Sequence, residues 1–298
     1  MKHIDFAVIG GSYAGMSAAL QLARARRNIL VVDADQRRNR FVDAAGETSH
    51  GFLTQDGRPP AEIAADAREQ LMNYPNVEWM HGTAEDARVA SNGRLEFRVG
   101  HEAISAHRLI LATGLRDELP PLPGLAERWG RSIFHCPYCH GYELNAGPIG
   151  IIATSPLALH HALMLPDWGS PTLFLNDAYT PSDEDLAAIA RRGTQIEVTR
   201  IERIDGHADV VLQDGRRLRM NGLFIQPHTL LASPVAEQLG CALEDGPTGL
   251  FIKVDDFKAT SVPNVFACGD AARAAGNVTL AVADGAMAGF GAHRGSMV

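Results

Sequence analysis

Phe6-Ala7-Val8-Ile9-Gly10-Gly11-Ser12-Tyr13-Ala14-Gly15 is the stretch that decides the fold of this 298-residue chain. Its first four residues read as a buried strand, and Met16 to Ala25 carries a helix pattern. Val31-Val32-Asp33 is the next strand and ends in an acid. Strand, glycine turn, helix and acid-ended strand together form the dinucleotide-binding βαβ fingerprint. Gly10 allows the tight turn, and Gly15 lets helix and strand pack closely. The helix N-terminus offers N–H groups and the positive end of its dipole to a pyrophosphate. Asp33 can accept a hydrogen bond from a ribose hydroxyl. Ser12 stands where the middle glycine usually lies, so a glycine turn without a ligand is the plainer alternative.

Composition bounds the class. A hydrophobic fraction of 46% and a charged fraction of 21% are those of a soluble globular protein. The net charge of −8 and the lack of a long basic run argue against nucleic acid or an anionic membrane surface as main partner. Met1-Lys2-His3 leads straight into a strand pattern, and the longest apolar stretch, Ile149 to Leu165, contains Pro156, His160 and His161. Neither reads as an export signal or a membrane span, so a cytoplasmic protein is expected. Cys241 and Cys268 are far apart, which speaks against a disulfide framework and leaves the close pair Cys136 and Cys139 as redox-active or metal-binding.

That pair lies in His135-Cys136-Pro137-Tyr138-Cys139-His140-Gly141. Spacing alone allows a disulfide, zinc, haem attachment or a glutaredoxin-like site. Zinc would need two more ligands, and no second Cys-x-x-Cys exists. Haem attachment goes with export, and a glutaredoxin-like fold would place the pair near the start of its domain. Pro137 suits a first helical position, so Cys136 can stand at a helix start.

The rest of the chain narrows the choice. A small β-meander around Asn92-Gly93 leads to Ala112-Thr113-Gly114, and Val265-Phe266-Ala267-Cys268-Gly269-Asp270 precedes a helix expected over about 279–292. The Gly10 turn, Ala112-Thr113-Gly114, the cysteine pair and Gly269-Asp270, in this order, resemble the low-molecular-weight thioredoxin reductase family of FAD enzymes. The resemblance covers essentially the whole chain. It implies an α/β protein of two Rossmann-like, three-layer domains. The FAD-binding domain would be split over 1–116 and 245–298, with a central pyridine-nucleotide-type domain over 117–244. Pro120-Pro121-Leu122-Pro123-Gly124 and the stretch Glu244 to Gly249 read as linkers.

The resemblance also implies site residues. FAD would be held by Gly10, Ser12, Tyr13, Ala14 and Gly15, by Asp33, Ala34 and Ala84, and by Ala112, Thr113 and Gly114. Gly269 and Asp270 would take the ribitol–phosphate side, and Leu280 and Ala281 would meet the flavin. Arg40, His50 and Asp56 lie in a loop expected to pass near the cofactor, with exposed loop charges as the plainer alternative. Cys139 would face the flavin, Cys136 would exchange with substrate, and His140 would carry the proton where thioredoxin reductases have an acid. A surface imidazole is the alternative for His140, and His135 reads as positional. A homodimer is expected by analogy.

The second nucleotide site is altered. Strand 148–153 is followed by Thr154-Ser155-Pro156-Leu157-Ala158, without a glycine fingerprint. The next strand ends in Asn176-Asp177, where an acid would repel a 2′-phosphate. Gln226-Pro227-His228-Thr229 also departs from the expected glycine-containing stretch. This puts NADPH in doubt. It resembles the dithiol oxidases of gliotoxin and holomycin biosynthesis, which share Cys-x-x-Cys-His-Gly-Tyr-Glu, here Cys136 to Glu143. They pass electrons from a dithiol to oxygen. The alternatives are an NADPH-dependent thioredoxin reductase, a ferredoxin-linked reductase, or a redox-sensing flavoprotein without turnover. The partner is a small-molecule or protein dithiol or disulfide; no metal is expected.

Overall fold

The structure is a computed structural model that describes residues 1–297. The chain divides into two compact units of α/β build. One holds Met1–Arg40, Pro60–Arg116 and the chain from Thr229 onward; the other holds Phe41–Pro59 and Asp117–His228.

In the first unit, strand Lys2–Ile9 lies in the middle of a seven-stranded sheet. It pairs in parallel with Ile29–Asp33 on one side and with Glu102–Leu111 on the other. Val77–His81 extends the sheet past Ile29–Asp33, and Val265–Ala267 also pairs with Glu102–Leu111. The expected meander is present as the antiparallel strands Ala84–Val89, Leu95–Val99 and Glu102–Leu111. The last four residues of Lys2–Ile9 are all buried, which explains the unbroken apolar run that precedes the turn. Helix Tyr13–Arg24 covers this sheet with Met16, Ala18, Ala19 and Leu22. It packs on helix Val278–Arg294, where a Cβ on Gly285 would fall 2.0 Å from the Ala14 carbonyl oxygen. That close approach brings the C-terminal segment onto the nucleotide turn.

The second unit carries a five-stranded parallel sheet in the order Gln195–Glu197, Ser170–Phe174, Pro148–Ile152, Gly222–Ile225, Ile133–Phe134. A three-stranded antiparallel sheet, Ile201–Asp205, Asp209–Leu212 and Arg217–Leu218, packs against it through Ile204, Val210 and Leu212. The apolar stretch 149–165 resolves into a strand and the helix Ala158–Met164. Among the described residues, no helix is long and apolar enough to cross a membrane.

The unit borders depart from the sequence expectation in two places. The chain returns at His228/Thr229, not near residue 245. Val235, Ala236, Leu239 and Cys241 are buried in the first unit's core beside Leu95 and Phe97, and Gln238 accepts the Ala87 N–H at 2.9 Å. The stretch Glu244 to Gly249 is therefore no linker; it closes a hairpin between Leu243–Asp245 and Leu250–Ile252. Pro120–Gly124 is packed as well, since Leu119 and Leu122 meet the second unit's core and Ile204 donates to the Pro123 carbonyl at 2.9 Å. The second departure is Phe41–Pro59, which belongs to the second unit. Phe41 is its anchor, lying so near Gly130 that a Cβ there would fall 2.6 Å away.

Candidate active site

In the first unit the nucleotide turn is shaped by close contacts that only glycine permits. Gly10 has φ +107, and a Cβ there would lie 2.1 Å from the Ala112 carbonyl oxygen. Gly11 donates its N–H to Asp33 Oδ1 at 3.1 Å, tying the turn to the acid at the end of the next strand. Ser12 is the extended N-cap of helix Tyr13–Arg24, and its side chain makes no capping bond. The helix end is thus left to backbone donors, the arrangement that receives a phosphate.

Gly11, Asp33, Asp35, Arg68 and Trp79 contribute to a cavity of about 430 Å³ beside this turn. Trp79 Nε1 and Asn39 Oδ1 are buried without a hydrogen-bond partner among the described residues. A cradle that a Cβ would fill, a cavity at the acid-ended strand and two orphaned polar atoms fit the adenosine side of FAD. Ala34 follows Asp33 at the surface, and Ala84 is buried at the start of its strand. Thr113 and Gly114 follow Ala112, whose N–H donates to the Ile9 carbonyl at 2.8 Å.

Gly269 sits against the same helix start, and a Cβ on it would lie 2.8 Å from the Ala14 Cβ. Asp270 pairs with Arg38 at 3.2 Å. Asn277 caps helix Val278–Arg294 by accepting the Leu280 N–H at 2.8 Å, and its carbonyl accepts the Ala281 N–H at 2.9 Å. Leu280 and Ala281 are therefore placed at the helix start with their N–H groups already engaged. Arg40 turns back on its own segment, donating to the Arg37 carbonyl at 2.7 Å.

The corresponding turn of the second unit is built differently. Thr154 Oγ1 donates to the Gln226 carbonyl at 2.7 Å, and Ser155 Oγ accepts the Leu157 N–H at 3.3 Å. At the end of the next strand, Asn176 Oδ1 accepts the Ile201 N–H at 3.1 Å and Asp177 pairs with Arg200 at 3.3 Å. The polar side chains that could meet a nucleotide are thus bonded within the unit.

Cys136 and Cys139 form a disulfide with Cα atoms 5.3 Å apart. Cys136 is the extended N-cap of the one-turn helix Pro137–His140, with Pro137 at its first position. The helix stops at Gly141, where a Cβ would fall 2.6 Å from Trp168 Cδ1, so Trp168 excludes any larger residue there. Cys241 and Cys268 are free and buried. Burial, with Asp284 nearby, pushes the Cys268 thiol up to about 12, which keeps it protonated and unreactive.

His140 is half-buried and stacks on Phe134 with ring centroids 4.2 Å apart. Burial, aided by the charge of His50, lowers its pKa to about 4. It is thus neutral near pH 7 and not the surface imidazole of the plainer alternative. His50 and Asp56 lie with this turn in the second unit. His50 Nε2 is 2.9 Å from Thr48 Oγ1 and 3.4 Å from Glu143 Oε1, and its Nδ1 is 3.7 Å from Asp56 Oδ1.

His161 was legible only as a polar break in an apolar stretch. It is buried on helix Ala158–Met164, packs edge-on against Phe224 at 5.9 Å, and bonds the backbone of His135. Burial and His160 hold its pKa down to about 4 against that bond. Phe224 in turn meets Phe134 at 6.0 Å, so an aromatic ladder runs from His161 to His140 beneath the disulfide turn.

Residues 4–285 match the family described as pyridine nucleotide-disulphide oxidoreductase. A protein named thioredoxin reductase tcpT, from Claviceps purpurea, is 33% identical over 96% of this chain and 92% of its own length. Thioredoxin reductase sirT, from Leptosphaeria maculans, is 31% identical over 97% of this chain and 93% of its own. Among solved structures, an oxidoreductase from Agrobacterium tumefaciens superposes with a TM-score of 0.95 at 55% identity, covering 100% of this chain and 99% of that one. The structure of HlmI superposes with a TM-score of 0.90 at 33% identity, covering 99% and 93%.

Proposed function

This chain belongs to the pyridine nucleotide-disulphide oxidoreductase family and is a thioredoxin-reductase-like, FAD-dependent disulfide oxidoreductase; on that premise we propose that it works as a dithiol oxidase. One observation carries the reading. The cysteine pair and the first nucleotide turn are intact, while the second turn has no glycine and spends its polar groups on internal bonds.

A substrate thiolate attacks Cys136 Sγ, the Cys136–Cys139 bond breaks, and Cys139 leaves as a thiolate. The second substrate thiolate attacks the substrate sulfur of the mixed disulfide and releases Cys136. The substrate has then lost two electrons and two protons, and the electrons lie on the cysteine pair. His140, next to Cys139, accepts a proton as a neutral imidazole. When bound, FAD supplies a two-electron carrier that oxygen can reoxidise, so dithiol and oxygen become disulfide and hydrogen peroxide.

The rival reading is an NADPH-dependent thioredoxin reductase, which the names of the two fungal relatives favour. An anaerobic titration of the flavin spectrum separates the two. Under the oxidase reading a dithiol bleaches the flavin and stoichiometric NADPH leaves it yellow. Rapid bleaching by NADPH would establish the reductase instead.

A further inference from the structure

Helix Val278–Arg294 buries one carboxylate, Asp284, whose side chain is only 10% exposed. Its Oδ1 accepts from Lys258 Nζ at 2.8 Å and its Oδ2 from Arg273 Nη1 at 3.0 Å. Two cations thus meet one acid, and a single positive charge is left over. Asp270 does not cancel it, because Asp270 is already paired with Arg38 at 3.2 Å. Lys258 and Arg273 come from two different loops. The Lys258 carbonyl accepts the Ala267 N–H at 3.0 Å, which sets this residue beside the strand that runs into Gly269 and Asp270. Arg273 ends the turn Gly269–Ala272, and its Nε donates to the Ala275 carbonyl at 2.8 Å, just before the Asn277 cap.

We propose that Lys258, Asp284 and Arg273 tune the flavin: their uncompensated positive charge stabilises the reduced, anionic form and raises the reduction potential. The inference rests on FAD standing at the start of this helix, and it holds whichever acceptor takes the electrons afterwards. Asp284 follows Leu280 by four residues, about 6 Å along the axis, and helical side chains lean toward the N-terminus. A Cβ on Gly269 would lie 2.8 Å from the Ala14 Cβ and 4.0 Å from the Ala281 Cβ, so this helix start borders the turn that fits the FAD phosphates. The Lys258 and Arg273 side chains are only 18% and 26% exposed, so water screens their charge weakly. As the cysteine pair returns to its disulfide it gives up two electrons and two protons. The flavin takes both electrons and one proton and gains a negative charge, and the other proton goes to solvent. A fixed cation nearby favours that uptake. The three side chains are positioning residues that act through charge and through the loops they hold.

The test measures the flavin's midpoint potential by anaerobic equilibration with a reference dye, in flavin-loaded Cys136→Ser/Cys139→Ser protein, where the flavin alone takes up electrons. Lys258→Met in that background leaves the Arg273–Asp284 pair neutral. It is expected to shift the flavin–dye equilibrium about tenfold toward oxidised flavin, about 30 mV for a two-electron couple. Asp284→Asn leaves two cations and is expected to shift it the opposite way. Lys258→Met combined with Asp284→Asn keeps one cation and is expected to return close to the starting potential. An unchanged potential in flavin-loaded Lys258→Met overturns the proposal. A potential lowered in both single variants overturns it as well, since disturbed packing has no sign and a charge does. Flavin bleaching by NADPH would displace the oxidase reading and leave these shifts as they are, so the two fail separately.

Discussion

The turn after strand Lys2–Ile9 is made of glycines and leaves its helix start to backbone donors, while the turn after Pro148–Ile152 is made of Thr154, Ser155 and Pro156, whose hydroxyls bond inward. Both turns leave the carboxyl end of a middle strand that pairs in parallel with both its neighbours, the place where such sheets bind ligands. On the proposed reading the same scaffold is present twice, once with a phosphate cradle and once without. On that reading a βαβ frame does not by itself make a nucleotide site. A bare backbone at the turn does, and side chains that satisfy their own neighbours remove it.

The sharpest way to test this contrast is to ask whether the unit with the closed turn still carries the chemistry. Cys139→Ser is expected to lower dithiol-dependent peroxide release about a thousandfold or more while flavin content stays at the wild-type level. Retained turnover would move the chemistry away from the cysteine pair. The next largest effect belongs to the open turn. Gly10→Ala forces a Cβ to 2.1 Å from a backbone oxygen at φ +107, and neither partner is a side chain that can move aside. A loss of about 3 kcal/mol of stability is expected, with flavin released on gel filtration. Ser155→Gly in the second unit should leave flavin content unchanged and shift stability by only about 0.5 kcal/mol. Equal effects of the two changes would erase the contrast.

The second unit also has an acid-sensitive face. His140 and His161 are held neutral with pKa near 4, below the ordinary 6.5. Between those values the unfolded chain binds protons that the folded chain refuses, so stability falls as pH drops from 6.5 to 4. Each histidine contributes about 3 kcal/mol over that window. Urea midpoints from pH 7 to pH 4 should fall steeply, and His161→Phe should flatten the slope. An unchanged slope in that variant would mean that His161 is solvated.

Much of this was written in the chain, and the gaps have a physical cause. The glycine turn was legible because backbone geometry restricts which residues can stand there, whereas the spacing of Cys136 and Cys139 alone left zinc, haem and a glutaredoxin-like site open and only the resemblance pointed to a redox disulfide. Pro137 at a first helical position marked the start of the helix that follows Cys136. The return crossing was misplaced because Gly246, Pro247 and Gly249 signal a turn, and a hairpin inside a unit needs turns as much as a linker does. His50 and Asp56 read as loop charges near a cofactor, since a polar loop has no periodicity to tell which unit it packs on. His161 lay in an apolar stretch, where a histidine gives a signal but not its partner.

The smallest effect tests the closed turn most directly. Asp177 and Arg200 form an ion pair whose side chains are 65% and 57% exposed. Exposed pairs contribute about 0 to 1 kcal/mol, so Asp177→Ala should barely move the urea midpoint. It removes the charge that would repel a 2′-phosphate and frees Arg200 to meet one. If repulsion alone kept NADPH away, the variant would gain flavin reduction by NADPH. The structure argues against that gain, because Thr154 and Ser155 still occupy the turn and Asn176 still caps the Ile201 N–H. The expected result of an anaerobic NADPH titration is a flavin that stays oxidised in Asp177→Ala as in the wild type. Bleaching confined to the variant would place the block at one carboxylate rather than in the turn.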